Sequence, residues 1–178
     1  MSFVDDDQRG EYMLIDTKNG KILVNEIAYR IIGEKAPREL PSYVTIRDQY
    51  FADPESFIHT NFLDTVEAED EELASGAADV IMLLTKAVFP IVTPILSYVL
   101  DAVADALKEE GAKQASDYLR SLFKDKTPKP IFTQAQLEVI ASTIQDIAKT
   151  EADRLGLEQS QAQTVSDSVI ARLALAKK

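Results

Sequence analysis

The chain has 178 residues, of which 46% are hydrophobic and 28% are charged, and its formal net charge is −11. This length can bury a real core in one domain or two small ones, and the composition excludes fibrous, low-complexity and wholly disordered classes. The absence of cysteine excludes disulfides and thiolate metal sites, so we expect the cytoplasm by default. The acidic first ten residues predict no secretory signal.

The negative charge is concentrated before residue 77. Residues 1–76 carry 17 acidic and 7 basic side chains, whereas residues 77–126 carry 7 and 6, and residues 127–178 carry 6 and 6. Phosphate contacts need clustered lysine and arginine, so the composition argues against a nucleic-acid partner. It argues equally against electrostatic docking to anionic lipid.

Two apolar runs flank a polar loop in residues 12–24, and the loop ends in Asn19-Gly20. Both loop residues accept the left-handed conformation of a tight turn, so the pattern predicts a β-hairpin with strands at 11–16 and 21–24. A short helix is predicted to follow, capped by Asn25 and ended by Gly33.

Further helices are expected after this hairpin. One is predicted at 42–51, although the run YVTI on its own also fits a strand. Asp53-Pro54 is typical of a helix start, with an N-cap aspartate and proline at the first position. The predicted buried face that follows consists of Phe57, Ile58, Phe62 and Leu63.

The pattern L-I-D-x-x-x-G-x-I-x-V-N-x-x-A-x-x-I, from Leu14 to Ile31, resembles the hairpin-to-helix core of PqqD-like peptide-recognition domains, which are of winged-helix type. The resemblance covers residues 11–64, and nothing similar is recognised in 65–178. It implies that an extended peptide adds to a sheet edge at Ile22, Leu23 and Val24. The alternative is a hairpin that only covers part of a helical core.

Residues 67–76 contain five acidic side chains and end in Ser75-Gly76. Mutual repulsion disfavours packing there, so we expect a solvated linker and domain boundary. A calcium loop is not expected, because the run lacks the alternating Asp/Asn and central Gly of such loops.

The long apolar segment is residues 77–107. Pro90 and Pro94 predict two helices, at 77–89 and 94–110, joined by a corner, and a single kinked helix is the competing interpretation. The uncharged run between Lys86 and Asp101 has 14 residues. A membrane span needs about 20, so no constitutive span is expected. A soluble core or oligomer interface is favoured, and triggered insertion into lipid is the alternative.

The predicted partner or membrane interface on this segment comprises its large apolar side chains. They are Val80, Leu84, Val88, Phe89, Ile91, Ile95, Leu96, Val99, Leu100 and Val103.

The chain after the apolar segment is predicted to be mainly helical. Residues 112–124 are predicted to be an amphipathic helix with a buried stripe at 115–123, either a new helix or an extension of the previous one. The prolines in 126–130 predict a rigid connector. Thr133 with Gln136 makes a capping box, and Ser160 with Gln163 offers a second. With Gly156 between them, these signals predict an antiparallel helical hairpin in 127–178 that packs on 77–126.

The sequence contains little that could support catalysis. His59 is the only histidine and lies beside Phe57 and Ile58, which predicts a partly buried structural side chain. No phosphate-binding loop can be assembled from the glycines. Asp101 and Asp105 lie one turn apart, which predicts either the solvent edge of a helix or a pH-sensing pair. We therefore expect no catalytic residue, metal or cofactor.

The sequence predicts a mainly α protein of the α+β class. Its units are a hairpin-and-helix unit at 1–66, a linker at 67–76, central helices at 77–126 and a helical hairpin at 127–178. The expected function is a non-enzymatic, intracellular interaction or assembly module that binds a protein partner or a second copy. The alternatives are a membrane-permeabilising effector that inserts residues 77–107 and a peptide-binding module at the hairpin edge.

Overall fold

The computed structural model describes residues 14–64, 83–108, 112–124 and 126–178, which form seven α-helices. A π-helical turn, His59–Leu63, continues the third of them, and short 3-10 turns lie at Pro37–Glu39 and Ala174–Ala176. Within these ranges no strand forms, and Phe132 and Lys177 make an isolated parallel bridge. The predicted helical bundle is confirmed. In chain order the α-helices are α1 Lys18–Lys35, α2 Leu40–Ala52, α3 Pro54–Ile58, α4 Leu84–Leu107, α5 Ala112–Leu122, α6 Gln134–Leu155 and α7 Gln159–Leu173.

Helix α4 lies at the centre of the bundle. It contacts α1 and α2 on the N-terminal side of the chain, and α5, α6 and α7 on the C-terminal side. The buried side chains of all these helices belong to one hydrophobic cluster. The predicted linker at 67–76 lies outside the described residues.

The predicted division of the apolar segment into two helices is wrong, and the competing single helix is what forms. Pro90 and Pro94 both lie inside α4. A proline in a helix interior costs about 3 kcal/mol, whereas each large apolar side chain that is fully buried contributes about 1.5–3 kcal/mol. Burial of nearly every side chain from Leu84 to Leu96 therefore outweighs the two lost backbone hydrogen bonds.

The predicted hairpin is also wrong over the described residues. Residues 18–24 are the first two turns of α1, so Ile22, Leu23 and Val24 are helical and form no strand edge. Residues 11–13 lie outside the described part of the chain. Thr17 is the N-cap, and its side chain accepts a hydrogen bond from the Gly20 amide at 3.0 Å. Helix α1 thus begins eight residues before the expected start and continues through Gly33.

Gly20 does not form a hairpin turn; it allows another part of the backbone to pack closely against α1. A Cβ atom at this position would lie 1.5 Å from the Leu14 carbonyl oxygen and 2.6 Å from its carbon. The preceding turn folds directly onto the first turn of α1, and only glycine leaves room for it. The glycine of this Asn-Gly pair, which resembles a hairpin signal in sequence, is required here by the close approach of residue 14.

We expect Gly20→Ala and Gly33→Ala to have opposite effects on stability. The alanine at 20 displaces the backbone of residue 14 and lowers the free energy of unfolding by about 1–3 kcal/mol. At Gly33 a Cβ meets nothing within 4 Å. Alanine in that helix interior raises stability by about 0.5–1 kcal/mol. Urea unfolding of both variants tests this, and equal effects would contradict the steric account.

The local signals in the C-terminal half are largely confirmed. Thr133 and Gln136 form the capping box of α6, and Gly156 ends that helix with φ of 66°. Helices α6 and α7 pack against each other as the predicted hairpin. The second capping box is wrong, because Glu158 is the N-cap of α7 and Ser160 already lies inside the helix.

The predictions around α3 have different outcomes. Asp53 caps the helix by accepting a hydrogen bond from the Ser56 amide at 3.0 Å, as predicted. His59, expected to be partly buried, has a side chain that is 66% exposed and contacts Asp64 at 2.8 Å. The π-helical turn accounts for the difference, because it buries Phe62 and leaves His59 on the surface. Leu63, which was predicted to be buried with Phe62, is also on the surface and is 42% exposed.

Candidate functional site: the exposed face of helix α1

The side chains predicted to meet a partner or lipid are mostly inside the protein. Leu100 is only partly buried, and Val80 lies outside the described residues. A partner could reach the others only after the helices around α4 separate, so their role as an interface stays a prediction. The buried members are Leu84, Val88, Phe89, Ile91, Ile95, Leu96, Val99 and Val103.

Helix α4 is nevertheless long and apolar enough to cross a membrane. Among the described helices it alone meets this criterion of length and composition, and most of its apolar window is buried inside the bundle. The core helix of a soluble protein has the same properties. Asp101 and Asp105 are exposed near its C-terminal end, which agrees with the predicted solvent edge.

The start of α4 is held by a carboxylate from the 3-10 turn that precedes α2. Glu39 accepts hydrogen bonds from the Leu84 amide at 3.1 Å, from the Thr85 amide at 2.7 Å and from the Thr85 hydroxyl at 2.7 Å. Leu83, the N-cap residue, has no side chain able to do this. A carboxylate at a helix N-terminus both satisfies free amides and interacts favourably with the helix dipole.

An aromatic cluster joins α2 to the middle of α4. The Phe89 ring lies 5.5 Å from that of Tyr43, 5.4 Å from that of Tyr50 and 5.8 Å from that of Phe51, centroid to centroid. The Tyr50 hydroxyl donates to Thr93 Oγ1 at 3.1 Å, and the Thr93 hydroxyl donates to the Phe89 carbonyl at 2.8 Å. These contacts hold α2 against the middle of α4.

The surface of the bundle exposes large apolar side chains along one side of α1. Ile22 is 38% exposed and Tyr29 is 51% exposed. They are seven residues apart on the same helix, so they project from the same side about 10 Å apart. The inner side of α1, from Leu23 to Ile32, is packed into the core.

Two clefts adjoin this side of α1 and share Asn25. The first, of about 400 Å³, lies between α1 and α2, and the second, of about 210 Å³, lies between α1 and α5. We call the two clefts together with Ile22 and Tyr29 the α1 face. The first cleft is lined by Lys18, Lys21, Ile22, Asn25, Arg47 and Phe51, and the second by Asn25, Glu26, Ile27, Tyr29, Arg30, Arg120, Phe123 and Lys124.

Asn25, at the junction of the clefts, is oriented by a buried tyrosine. The Tyr43 hydroxyl lies 2.8 Å from the Asn25 backbone oxygen and 3.0 Å from its side-chain oxygen. Burial raises the pKa of Tyr43 far above its ordinary value, so this hydroxyl remains a donor. The Asn25 side-chain NH₂ has two further donors, and no described residue accepts a hydrogen bond from it.

Glu26 and Arg120 form a two-pronged ion pair across the second cleft. Arg120 Nε and one terminal nitrogen each donate to a Glu26 oxygen at 2.6 Å. The hydrogen bond from Arg120 holds the pKa of Glu26 below its ordinary value, with further support from the charges of Arg120, Lys124 and Arg30 and opposition from burial. The pair fixes α5 against α1.

We expect the stabilising effect of this pair to depend on pH. Glu26 stays ionised to lower pH in the folded protein than in the unfolded chain, where its pKa has the ordinary value of 4.5. Its contribution to the free energy of unfolding is therefore complete above pH 4.5 and is lost as the pH falls through the pKa of the folded protein. Glu26→Gln should lower the free energy of unfolding by about 1 kcal/mol at pH 7, allowing for solvent screening. Its deficit relative to wild type should shrink on acidification below 4.5.

Denaturant titrations of both proteins at several pH values measure this difference. Asp101→Asn, which removes an exposed carboxylate of α4, is the matched control and should differ from wild type by less than about 0.5 kcal/mol throughout. A Glu26→Gln deficit that stays constant from neutral to acid pH would contradict the ion-pair account.

A third cleft, of about 190 Å³, lies between α6 and α7 and is mainly apolar, with Leu137, Ala141, Ile170 and Leu173 in its lining. In the ranges that the structure covers, no three histidine, cysteine or carboxylate side chains are grouped as metal ligands. His59 lies apart from all three clefts, since none of them includes it.

The sequence contained a signal for α1 that the hairpin prediction passed over. The buried positions Leu23, Ile27 and Ile31 and their neighbours Val24, Ala28 and Ile32 repeat every four residues, which is the spacing of a helical stripe. The residues that the stripe leaves outside include Ile22, Asn25 and Tyr29. No local pattern indicates that α2 and α5 flank them.

No protein-family model matches the chain, and neither a curated protein nor a solved structure is significantly similar to it. The resemblance to PqqD-like domains is not tested by these comparisons and stays a prediction.

Proposed function

We propose that the protein is a non-enzymatic interaction module that binds another protein through the α1 face. The observation that carries the proposal is the exposure of Ile22 and Tyr29 between two clefts. The most apolar of the described helices, α4, is by contrast buried in the core. Apolar and aromatic side chains beside preformed clefts are typical of binding surfaces. The proposed class of function, a protein-interaction module, is the one expected from the sequence. The proposed binding surface is on α1, whereas the sequence placed it on the apolar segment that forms α4.

The test compares wild type with an Ile22→Ser/Tyr29→Ser variant in capture from native lysate, followed by mass spectrometry. We expect a protein that the wild type retains and the variant loses. The matched control is Val139→Ser/Leu175→Ser, because these side chains are 64% and 50% exposed elsewhere on the bundle. A protein that is monomeric by light scattering and retains no specific partner would contradict the proposal.

We propose triggered membrane insertion of α4 as the second candidate, supported by its length and composition. Insertion requires α4 to leave the bundle, so leakage should rise when the Glu39 contacts with Leu84 and Thr85 are removed. Dye release from anionic and neutral vesicles, at neutral and acid pH, measures this for wild type and Glu39→Ala. Absence of leakage from both proteins under every condition would eliminate this function.

A further inference from the structure

We infer that the α1 face binds an acidic amphipathic segment of a partner protein. This inference rests on the proposed function and names the chemistry of the partner. The first step is the charge of the clefts: six of their lining residues are basic and one is acidic, whereas the whole chain has a net charge of −11. The acidic member, Glu26, is already paired with Arg120.

The second step is the availability of three of these charges, those of Lys18, Lys21 and Arg47. Lys18 and Lys21 have no acidic partner among the described residues, and Arg47 is paired only with its sequence neighbour Asp48, whose side chain is 63% exposed. Lysine and arginine side chains left facing a cleft favour carboxylates as ligands. Opposite charge therefore selects a segment rich in aspartate or glutamate.

The third step is the apolar component. Ile22 and Tyr29 project about 10 Å apart along the α1 face, and the half-buried Phe51 lines the first cleft. A purely polar acidic chain would leave these side chains in water. A segment with apolar residues about two helical turns apart covers them while its carboxylates meet the lysines and arginines.

The fourth step explains why an acidic peptide is favoured over two other polyanions, an anionic bilayer and a nucleic acid. The second cleft, between α1 and α5, is partly enclosed and has room for a side chain, whereas a bilayer surface is flat. A chain with a net charge of −11 also repels anionic bilayers and nucleic acids at long range, where a short peptide carries far less charge. A short acidic peptide with apolar side chains matches both the shape and the charge of the site.

The experiment is selection of random peptides, about 14 residues long, displayed against the full-length protein. This length spans the α1 face in either a helical or an extended conformation. We expect the enriched peptides to be acidic and to contain apolar residues. Fluorescence anisotropy with one labelled enriched peptide should give at least about tenfold weaker binding to Lys18→Glu/Lys21→Glu, and weaker binding at high salt.

The matched control is Lys129→Glu/Lys149→Glu, which makes the same change in net charge at exposed sites outside the clefts. It should bind the peptide like wild type, and circular dichroism should show that both variants are folded. Equal weakening of both variants would show a general charge effect and overturn the inference.

Three other outcomes would overturn the acidic-peptide inference. Each of them gives its own result for the proposed function. In the first, the enriched peptides show no acidic bias, but their binding needs Ile22 and Tyr29. This result would support the proposed function and reject an acidic partner. Binding of anionic vesicles or a single-stranded oligonucleotide at the α1 face, without peptide binding, would reject both. Concentration-dependent dimerisation lost in Lys18→Glu/Lys21→Glu would assign the face to a second copy.

Discussion

Replacement of Phe89 by alanine should lower the free energy of unfolding by about 3–5 kcal/mol, the largest effect we expect from a single substitution in this protein. Phe89 is fully buried, and its ring contacts three aromatic rings of α2. Truncation leaves a cavity that the rings of Tyr43 and Tyr50 cannot fill without losing their hydrogen bonds with Asn25 and Thr93. Chemical denaturation followed by circular dichroism measures the loss.

Val139→Ala is the control for this substitution. Val139 also carries an apolar side chain on a helix, but it is 64% exposed. Its truncation should change stability by less than about 0.5 kcal/mol. A Phe89→Ala protein as stable as Val139→Ala would mean that the aromatic cluster does not hold α4 in place.

Replacement of Glu39 by alanine should cost about 1–3 kcal/mol, because it leaves the Leu84 and Thr85 amides and the buried Thr85 hydroxyl without their acceptor. The effect should be local as well as global, since these amides are otherwise free at the start of α4. Hydrogen exchange at residues 84 and 85 should accelerate more than exchange in the middle of α6.

Glu39→Gln is the informative companion variant. The glutamine keeps one acceptor oxygen and removes the charge, so its loss should be smaller than that of Glu39→Ala. Asp167→Ala, which removes an exposed acid on α7, should have little effect on either measurement. If exchange at residues 84 and 85 is unchanged in Glu39→Ala, the carboxylate does not cap α4.

The sequence predicted best where the structure depends on neighbours along the chain. Helix α6 was predictable because Thr133, Gln136 and Gly156 determine its ends through contacts within a few residues. Helix α1 was missed because the need for glycine at position 20 comes from the approach of Leu14, which no turn statistics encode. The continuity of α4 through two prolines depends on burial against five helices, a tertiary effect.

The α1 face could be predicted only in part. Basic and apolar residues are visible in the sequence, but α1 brings Lys18 and Lys21 beside Arg47 of α2, and Glu26 beside Arg120 of α5. The last two residues are 94 positions apart. This proximity depends on the packing of three helices. The net negative charge of the sequence therefore gave no indication that basic side chains would cluster on one surface.

The central position of α4 also determines how the protein can come apart. Helices from both ends of the chain pack on this one element, so neither residues 14–64 nor residues 126–178 retain a complete core without it. Release of α4 therefore amounts to global unfolding, which costs about 5–15 kcal/mol for a typical domain. Any trigger that transfers α4 into a bilayer must supply that free energy, and the two halves of the chain should lose protection from proteases together.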